Sequence, residues 1–182
     1  MPSFVRRVPE GDTLEREVCT QCGFVDYRNP KIVTGSVVAH GDRVLLCRRA
    51  IEPRQGFWTL PAGYMELGET VAEGAMREAW EEAGARIVIE GMLACYSVSR
   101  IGQVQIIHRA RFDGPVAFEA GTESLEVALF GWDEIPWDDI AFPTVHWALQ
   151  AWRDLGDAPL AAPAGNPASD LRGVNRLVET SA

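Results

Sequence analysis

Residues 63–85 read GYMELGETVAEGAMREAWEEAGA, and this segment decides the fold of the chain. Its second half predicts an α-helix whose two ends are both marked. Thr70 suits the N-cap, and Glu73, three residues later, completes a capping box. Gly84 stands where a helix favours a left-handed residue after its last turn. Helical spacing predicts one apolar stripe that packs inward, made of Ala72, Ala75, Met76, Ala79, Trp80 and Ala83.

The acidic residues of this helix fall close together. Glu78 and Glu82 are four residues apart and share one face, and Glu81 borders that face. Their mutual repulsion costs a few tenths of a kcal/mol in an isolated helix, and more where water is partly excluded. A divalent cation would relieve it, because carboxylate oxygens suit Mg²⁺ or Mn²⁺ and Mg²⁺ usually binds a few carboxylates plus substrate phosphates. For E-x-x-E-E alone, a solvated acidic face is the alternative.

The wider spacing in this segment resembles the Nudix box, G-x5-E-x7-R-E-U-x-E-E-x-G-U, in which U is an apolar residue. The fixed positions are occupied by Gly63, Glu69, Arg77, Glu78, Glu81, Glu82 and Gly84. Ala79 and Ala85 fill the two U positions, at the small end of what the pattern allows. The resemblance implies a pyrophosphohydrolase that uses Mg²⁺ or Mn²⁺ to cleave a nucleoside diphosphate linked to another moiety.

The resemblance also implies roles for single residues. Glu78 and Glu82, with Glu81 beside them, would hold the metal. A carbonyl oxygen at the Ala62–Gly63 turn would join the metal shell. Glu69 and Arg77 would form a structural ion pair that fixes the loop against the helix.

A further carboxylate has to orient or deprotonate the attacking water. In Nudix proteins this group comes from the box or from a later loop or strand end, so the candidates are Glu81, Glu123 and Glu126. Position favours Glu123 over Glu126 in the later segment, and Glu81 stays open as an alternative.

Composition indicates a soluble globular protein of one ordinary domain, since 47% of its 182 residues are hydrophobic and 24% are charged. A net charge of −9 argues against a nucleic-acid partner. No apolar run approaches the roughly 18 residues of a membrane span, and the N-terminus has no apolar signal region. Four cysteines make no disulfide framework, so we expect a cytoplasmic protein.

Cys19 and Cys22, followed by Gly23, have the spacing of one zinc-ribbon knuckle. A structural zinc site takes four ligands, and no second C-x2-C is present. Residues 10–38 resemble the small N-terminal module of Nudix proteins of the ADP-ribose/FAD pyrophosphatase kind. The sequence favours a metal-free remnant of that module. A zinc ion shared with another chain and a redox dithiol are the alternatives.

The rest of the chain predicts a layered α/β protein. Strands are expected at 32–39 and 43–49, joined by a hairpin turn at His40-Gly41-Asp42, and at 86–99 and 103–112. A helix is expected from Pro143, with an apolar stripe from Val145 to Leu155. The predicted fold class is the Nudix α/β/α sandwich with a mixed sheet.

We expect three parts: an N-terminal arm with half a ribbon-like module at 1–30, the Nudix domain at 31–156, and an Ala/Pro/Gly-rich tail at 157–182 that contributes little to the core. Candidate substrate-binding residues are the arginines that end a strand and the aromatic residues around the box. They are Arg48, Arg49, Trp58, Tyr64 and Tyr96.

The N-terminal resemblance favours ADP-ribose, or FAD or NADH, cleaved to AMP and a second phosphomonoester. A nucleoside triphosphate or coenzyme A diphosphatase of the same family is the first alternative. A nucleotide-sensing module without turnover is a distant one, because the acidic residues of the box are intact. A homodimer is expected only from the resemblance.

Overall fold

The structure is a computed structural model that describes residues 1–170 and 172. The chain divides into two compact units, Met1–Pro30 and the part from Lys31 onward. The first unit is a small antiparallel sheet in the order β1-β2-β3. Its strands are β1 (Phe4–Arg7), β2 (Arg16–Cys19) and β3 (Val25–Asp26).

The second unit is built on a seven-stranded mixed sheet. Its strands are β4 (Lys31–His40), β5 (Arg43–Arg49), β6 (Trp58–Thr59), β7 (Ala62–Tyr64), β8 (Ile87–Val98), β9 (Gln103–Phe112) and β10 (Ser124–Gly131). The order is β10-β5-β4-β9-β8, with β6 beside β5 and β7 beside β4. The β4–β9 pair is parallel, while the remaining pairs are antiparallel.

Two helices, α1 (Val71–Ala83) and α2 (Pro143–Leu155), cover the two faces of this sheet. Neighbouring strand residues alternate between them: Val37 belongs to the core cluster under α2, and Val38 to the cluster under α1. The predicted α/β/α sandwich is therefore confirmed. Neither helix is long and apolar enough to cross a membrane within the part of the chain that the structure describes.

Helix α1 begins and ends where the sequence predicts. Thr70 accepts a hydrogen bond from the Glu73 backbone, the Glu73 side chain accepts one from the Thr70 backbone, and Gly84 is left-handed with φ of 57°. The predicted stripe is partly wrong, because Met76 and Trp80 are exposed. Two adjacent rows of residues are buried instead, and within each row the residues are one helical turn apart. The rows are Ala75, Ala79 and Ala83, and Gly74, Glu78 and Glu82. Acidic side chains thus point inward.

The predicted strands and the hairpin at Gly41-Asp42 are present. The predicted turn at Ala62–Gly63 is wrong, because these residues form strand β7. Ala62 and Gly63 pair with Gly35 and Thr34 of β4, so their backbone groups are set by a ladder rather than by a turn.

The expectation of a tail with little core contribution is wrong for residues 158–170. Ala164 exchanges backbone hydrogen bonds of 2.9 Å with Leu93 and Cys95 of β8. The side chain of Asn166 continues this pairing by bonding both backbone groups of Ser97, at 2.8 and 2.9 Å. Leu160 packs against the core under α2. Leu171 and residues 173–182 lie outside the described part.

Candidate active site

Arg77 gathers the acidic residues of the box. Its guanidinium donates two hydrogen bonds to Glu69, at 2.8 and 3.0 Å, and one each to Glu78 at 2.7 Å and Glu81 at 2.8 Å. A fourth partner is the carbonyl oxygen of Tyr64, at 3.0 Å. These bonds lower the pKa of Glu69 to about 2, with Arg77 as the main cause. The loop before α1 is therefore fixed to the helix by one planar cation.

Arg77→Lys should destabilise the protein by about 1–3 kcal/mol, since an ammonium group cannot span four acceptors in one plane. Urea unfolding of both proteins measures this loss. Arg86→Lys is the matched control, because the Arg86 side chain stacks on the exposed Trp80 ring and makes no hydrogen bond or ion pair among residues 1–170 and 172. It should change stability by no more than about 0.5 kcal/mol. Equal losses for the two variants would contradict the bracing role of Arg77.

Gly63 is needed for close approach of strand β7 to Glu78. A Cβ atom at this position would overlap both carboxylate oxygens of Glu78. Glu78 is buried, and burial raises its pKa while Arg77 opposes that shift. The missing side chain at 63 therefore makes the space in which the Glu78 carboxylate lies.

If Glu78 holds the metal, Gly63→Ala should lower turnover roughly 100-fold, because displacing a positioned group at the reacting centre by about 1 Å has that effect. The steady-state rate with Mg²⁺ measures it, and unchanged strand pairing can be checked by circular dichroism. A variant that turns over within threefold of the parent would show that the Glu78 carboxylate can move without consequence.

Glu82 is a buried acid, and the nearby charge of Arg49 only partly offsets the effect of burial on its carboxylate. Its side chain accepts a hydrogen bond from the Ala62 backbone N–H at 3.0 Å, and no ion pair to it is found among residues 1–170 and 172. Burial raises its pKa to about 8, and the nearby charge of Glu78 adds to the shift. Because buried charges are normally paired or bound to metal, this carboxylate is a candidate ligand for a cation.

The segment before β10 brings a further acid to this place. Glu119 and Gly121 donate backbone hydrogen bonds to the carbonyl oxygens of Ala83 and Glu82, at 2.8 and 3.0 Å. Glu123 follows them, lines the cleft beside α1, and its charge raises the pKa of both Glu78 and Glu82. The structure thus brings Glu123 to the site.

Glu126, the other candidate in this segment, lies elsewhere. It faces Arg48 across the β10–β5 pair, with 3.7 Å between the two side chains, and neither residue lines the cleft. A register shift between Ser124 and Glu126 separates it from Glu123. The structure therefore does not support Arg48 and Glu126 as site residues.

The cleft next to the acids has a volume of about 1070 Å³. Of the predicted substrate-binding residues, Arg49 and Tyr64 line it. The prediction that Trp58 and Tyr96 bind substrate is wrong, because both are buried in the core. Trp58 packs edge-on against Phe130, and Tyr96 packs edge-on against Trp147. Neither ring lines the cleft.

Other cleft residues were not expected from the sequence. Trp80 is exposed from the helix that holds the acids, and Phe142, Thr144 and Arg172 come from the start of α2 and from the C-terminal segment. The large Trp80 side chain lies next to small alanines in the sequence of the helix. This difference in size is a signal that Trp80 does not belong to the buried stripe. The other three carry no local signal, because tertiary folding alone brings them there.

The acids fit a divalent cation. Glu78 and Glu82 are buried oxygen donors one turn apart, with Glu81 and Glu123 lining the same cleft. No three His, Cys, Asp or Glu side chains already converge as a metal cluster in the described ranges. The carboxylates of Glu78 and Glu82 are oxygen ligands of the kind that Mg²⁺ takes, with water and substrate phosphates completing its shell.

Cys19 and Cys22 do not make a complete zinc site. Backbone N–H groups of Cys22 and Gln21 lower the pKa of the Cys19 thiol, as in a knuckle turn. All four cysteines are free, and among residues 1–170 no third ligand is grouped with this pair. Since zinc needs four ligands, the N-terminal unit as described supplies two.

The fold and the box have close counterparts among known proteins. The crystal structure of a NUDIX hydrolase from Nitrosomonas europaea is 45% identical, with a TM-score of 0.83 over 89% of this chain and 92% of that one. An ADP-ribose pyrophosphatase of Methanocaldococcus jannaschii is 34% identical over 71 residues, 39% of this chain and 42% of that protein.

A human 8-oxo-dGDP phosphatase is 34% identical over 156 residues, 82% of this chain and 47% of that protein. The chain thus spans about half the length of these two curated relatives. A family model described as "NUDIX domain" matches residues 29–151, and one described as "Nudix N-terminal" matches residues 3–28. Together with the geometry of the box, these matches show that the chain belongs to the Nudix hydrolase family.

Proposed function

We propose that this protein is a metal-dependent pyrophosphohydrolase that cleaves the diphosphate of a nucleotide-derived small molecule. The buried Glu82 carboxylate carries the proposal, because it lies one turn from Glu78 and forms no ion pair among residues 1–170 and 172. Glu78 and Glu82 would hold Mg²⁺ or Mn²⁺, with Glu81 beside them. The chemistry supplied by such a cation is neutralisation of the phosphate charge and acidification of a water molecule.

Other residues of the chain would position the carboxylates and accept the proton of the attacking water. Arg77 keeps Glu78 and Glu81 in place. Glu123 lines the cleft and has no side-chain hydrogen bond within the described part of the chain, so it is free to accept a proton from the attacking water. Glu81 is the weaker candidate for the base, because one of its oxygens is held by Arg77 at 2.8 Å.

For the substrate we propose ADP-ribose, or FAD or NADH, giving AMP and a second phosphomonoester. Three observations support this choice: the similarity to an ADP-ribose pyrophosphatase over 71 residues, the N-terminal unit with its family match, and a cleft of about 1070 Å³. The exposed rings of Tyr64 and Trp80 at its border are suited to stack on a base.

A second candidate is a nucleoside diphosphate or triphosphate, including an oxidised one. It is favoured by the similarity to the human 8-oxo-dGDP phosphatase, which covers 82% of this chain. In this case the enzyme would cut a phosphoanhydride bond next to the terminal phosphates of the nucleotide. It would not cut a diphosphate that joins a nucleoside to a second nucleoside or a sugar.

Turnover measurements separate these candidates. The full chain is assayed with ADP-ribose, FAD, NADH, 8-oxo-dGDP, dNTPs and coenzyme A, with Mg²⁺ and with Mn²⁺, and products are identified by chromatography. AMP from ADP-ribose at the highest kcat/KM supports the proposal, and preference for 8-oxo-dGDP or a dNTP supports the second candidate. Binding without turnover of any compound would overturn both and indicate a sensing module.

A further inference from the structure

A second cavity, which we call the α2 cavity, has a volume of about 820 Å³. It is lined by residues of helix α2, strand β8 and the segment 160–170, together with Trp132 and Trp137. Trp147 lines both this cavity and the catalytic cleft, whereas none of the acids of the box lines the α2 cavity. Its size is within the range of about 300–1,000 Å³ that small-molecule sites occupy. The chain therefore has room for a ligand away from the box.

Aromatic rings form one wall of the α2 cavity. Trp132 packs edge-on against Trp137, with 4.9 Å between the ring centroids, and the imidazole of His146 stacks on Trp137 at 5.6 Å. Both indoles are only partly buried, so ring surface is left for a further contact. Aromatic rings favour edge-on or offset contact with another ring. This wall therefore suits a planar aromatic compound.

Tyr96 supplies a polar group from strand β8. The residue lines the cavity and has no exposed surface, and its hydroxyl has no hydrogen-bond partner among the described residues. The nearby indole N–H of Trp147 is not available, because it donates to Asp170 at 2.7 Å. A buried hydroxyl is costly to leave unpaired. A polar group bound in the cavity would supply the missing partner.

The charged residues of the α2 cavity disfavour an anion. Asp154 and Asp170 line it, and no Lys or Arg does so among residues 1–170 and 172. Arg172 neutralises Asp170. Asp154 accepts a hydrogen bond from the Gln150 amide at 2.7 Å and forms no ion pair in the same part of the chain. An anionic ligand would thus face an unneutralised carboxylate.

We propose that the α2 cavity is a second binding site, for an uncharged planar aromatic compound that carries a carbonyl group. The rings of Trp132, Trp137 and His146 would contact the aromatic ring, and the Tyr96 hydroxyl would donate a hydrogen bond to the carbonyl oxygen. The catalytic cleft differs in charge, because Arg49 and Arg77 line it. The α2 cavity would therefore take a different class of molecule from a phosphorylated substrate.

Calorimetry on the full chain tests the site with two matched probes. Indole-3-carboxamide should bind, and indole-3-carboxylate, of the same shape but anionic, should bind at least roughly tenfold more weakly. Tyr96→Phe removes only the unpaired hydroxyl and should weaken carboxamide binding roughly fivefold, the usual effect of one hydrogen bond. Tyr64→Phe, in the catalytic cleft, is the control and should bind the carboxamide like the parent.

A blocking variant tests the location independently. Ala162 is exposed and lines the cavity, so Ala162→Trp should fill the space and abolish carboxamide binding. Ala168→Trp is the matched control, because Ala168 is exposed in the same segment and lines neither cavity. In spectra of the ¹⁵N-labelled protein, the carboxamide should shift the indole N–H signals of Trp132 and Trp137 and leave that of Trp80 unchanged.

Three results would overturn the proposal. The first is the absence of carboxamide binding at millimolar concentration. The second is binding within twofold of the parent in both Tyr96→Phe and Ala162→Trp. The third is a shift confined to Trp80, which lines the catalytic cleft. None of these measurements requires turnover, so the site stands or fails independently of the proposed function.

Discussion

Glu82→Gln should abolish turnover while leaving the fold intact. The amide keeps the shape of the side chain and an oxygen for the Ala62 N–H, but it has no charge with which to hold a cation. Losing stabilisation of several kcal/mol at the transition state corresponds to a fall in kcat of roughly 10³-fold. Single-turnover assays with Mg²⁺ and Mn²⁺ measure the loss.

Whereas Glu82→Gln should lower activity, it should make the metal-free protein more stable than the parent at high pH. Burial raises the pKa of Glu82 to about 8, above its ordinary value, so the folded protein binds a proton more tightly than the unfolded chain. In EDTA the parent therefore loses stability as the pH rises from about 5 to 8, and Glu82→Gln should not show that part of the loss. Thermal unfolding at several pH values, with both proteins free of metal, tests the sign.

Glu126→Gln and Glu123→Gln complete this experiment. Glu126 is an exposed acid outside the cleft, so its variant should keep activity within about twofold. Glu123→Gln should lose activity roughly 10²- to 10⁴-fold if it is the general base. A Glu82→Gln enzyme as active as Glu126→Gln would overturn the assignment of the cation site.

Gly121→Ala should have the largest effect on stability. A Cβ atom at Gly121 would overlap the carbonyl oxygen of Glu81 and lie 2.9 Å from its carbonyl carbon. Backbone cannot turn aside as a flexible side chain can, so the segment must leave the end of α1. The backbone bonds from Glu119 and Gly121 would be lost with it. We expect a loss of about 2–4 kcal/mol in the free energy of unfolding.

Activity should fall with stability in this variant, because Glu123 lies two residues after Gly121 and depends on the same anchoring. Urea unfolding gives the stability, and turnover below the unfolding transition gives the activity. Gly165→Ala is the control: a Cβ atom there meets nothing within 4 Å, and the change should be within about 0.5 kcal/mol. If Gly121→Ala resembled this control, the docking of the segment on α1 would be too loose to position Glu123.

Local signals in the sequence predict several elements of this fold. The ends of α1 were predictable because a capping box and a left-handed glycine act within a few residues. The hairpin between β4 and β5 was predictable for the same reason, since two turn residues determine it. The box placed three acids on one helix because spacing on a helix fixes direction.

The burial of other residues is decided by distant parts of the chain and cannot be read from local patterns. Trp80 looked like a core residue and is exposed, whereas Glu82 is buried, because the helix presents its smallest residues to the sheet and the cleft removes water from the acids. Tyr96 looked like a binding residue and lies under α2. Arg172 lines the cleft after a segment that pairs with β8 at Ala164 and Asn166, and no periodicity in an Ala/Pro/Gly-rich segment predicts that placement.

The pairing of Ala164 and Asn166 with β8 also bears on self-association. Strand β8 is the last in the order of the sheet, and an uncovered edge strand is a template for another copy of the chain. Ala164 takes up hydrogen-bonding groups of Leu93 and Cys95 that would otherwise point outward. A shortened chain ending at Leu155 should therefore aggregate more readily than the full chain, even though the box and both helices are retained.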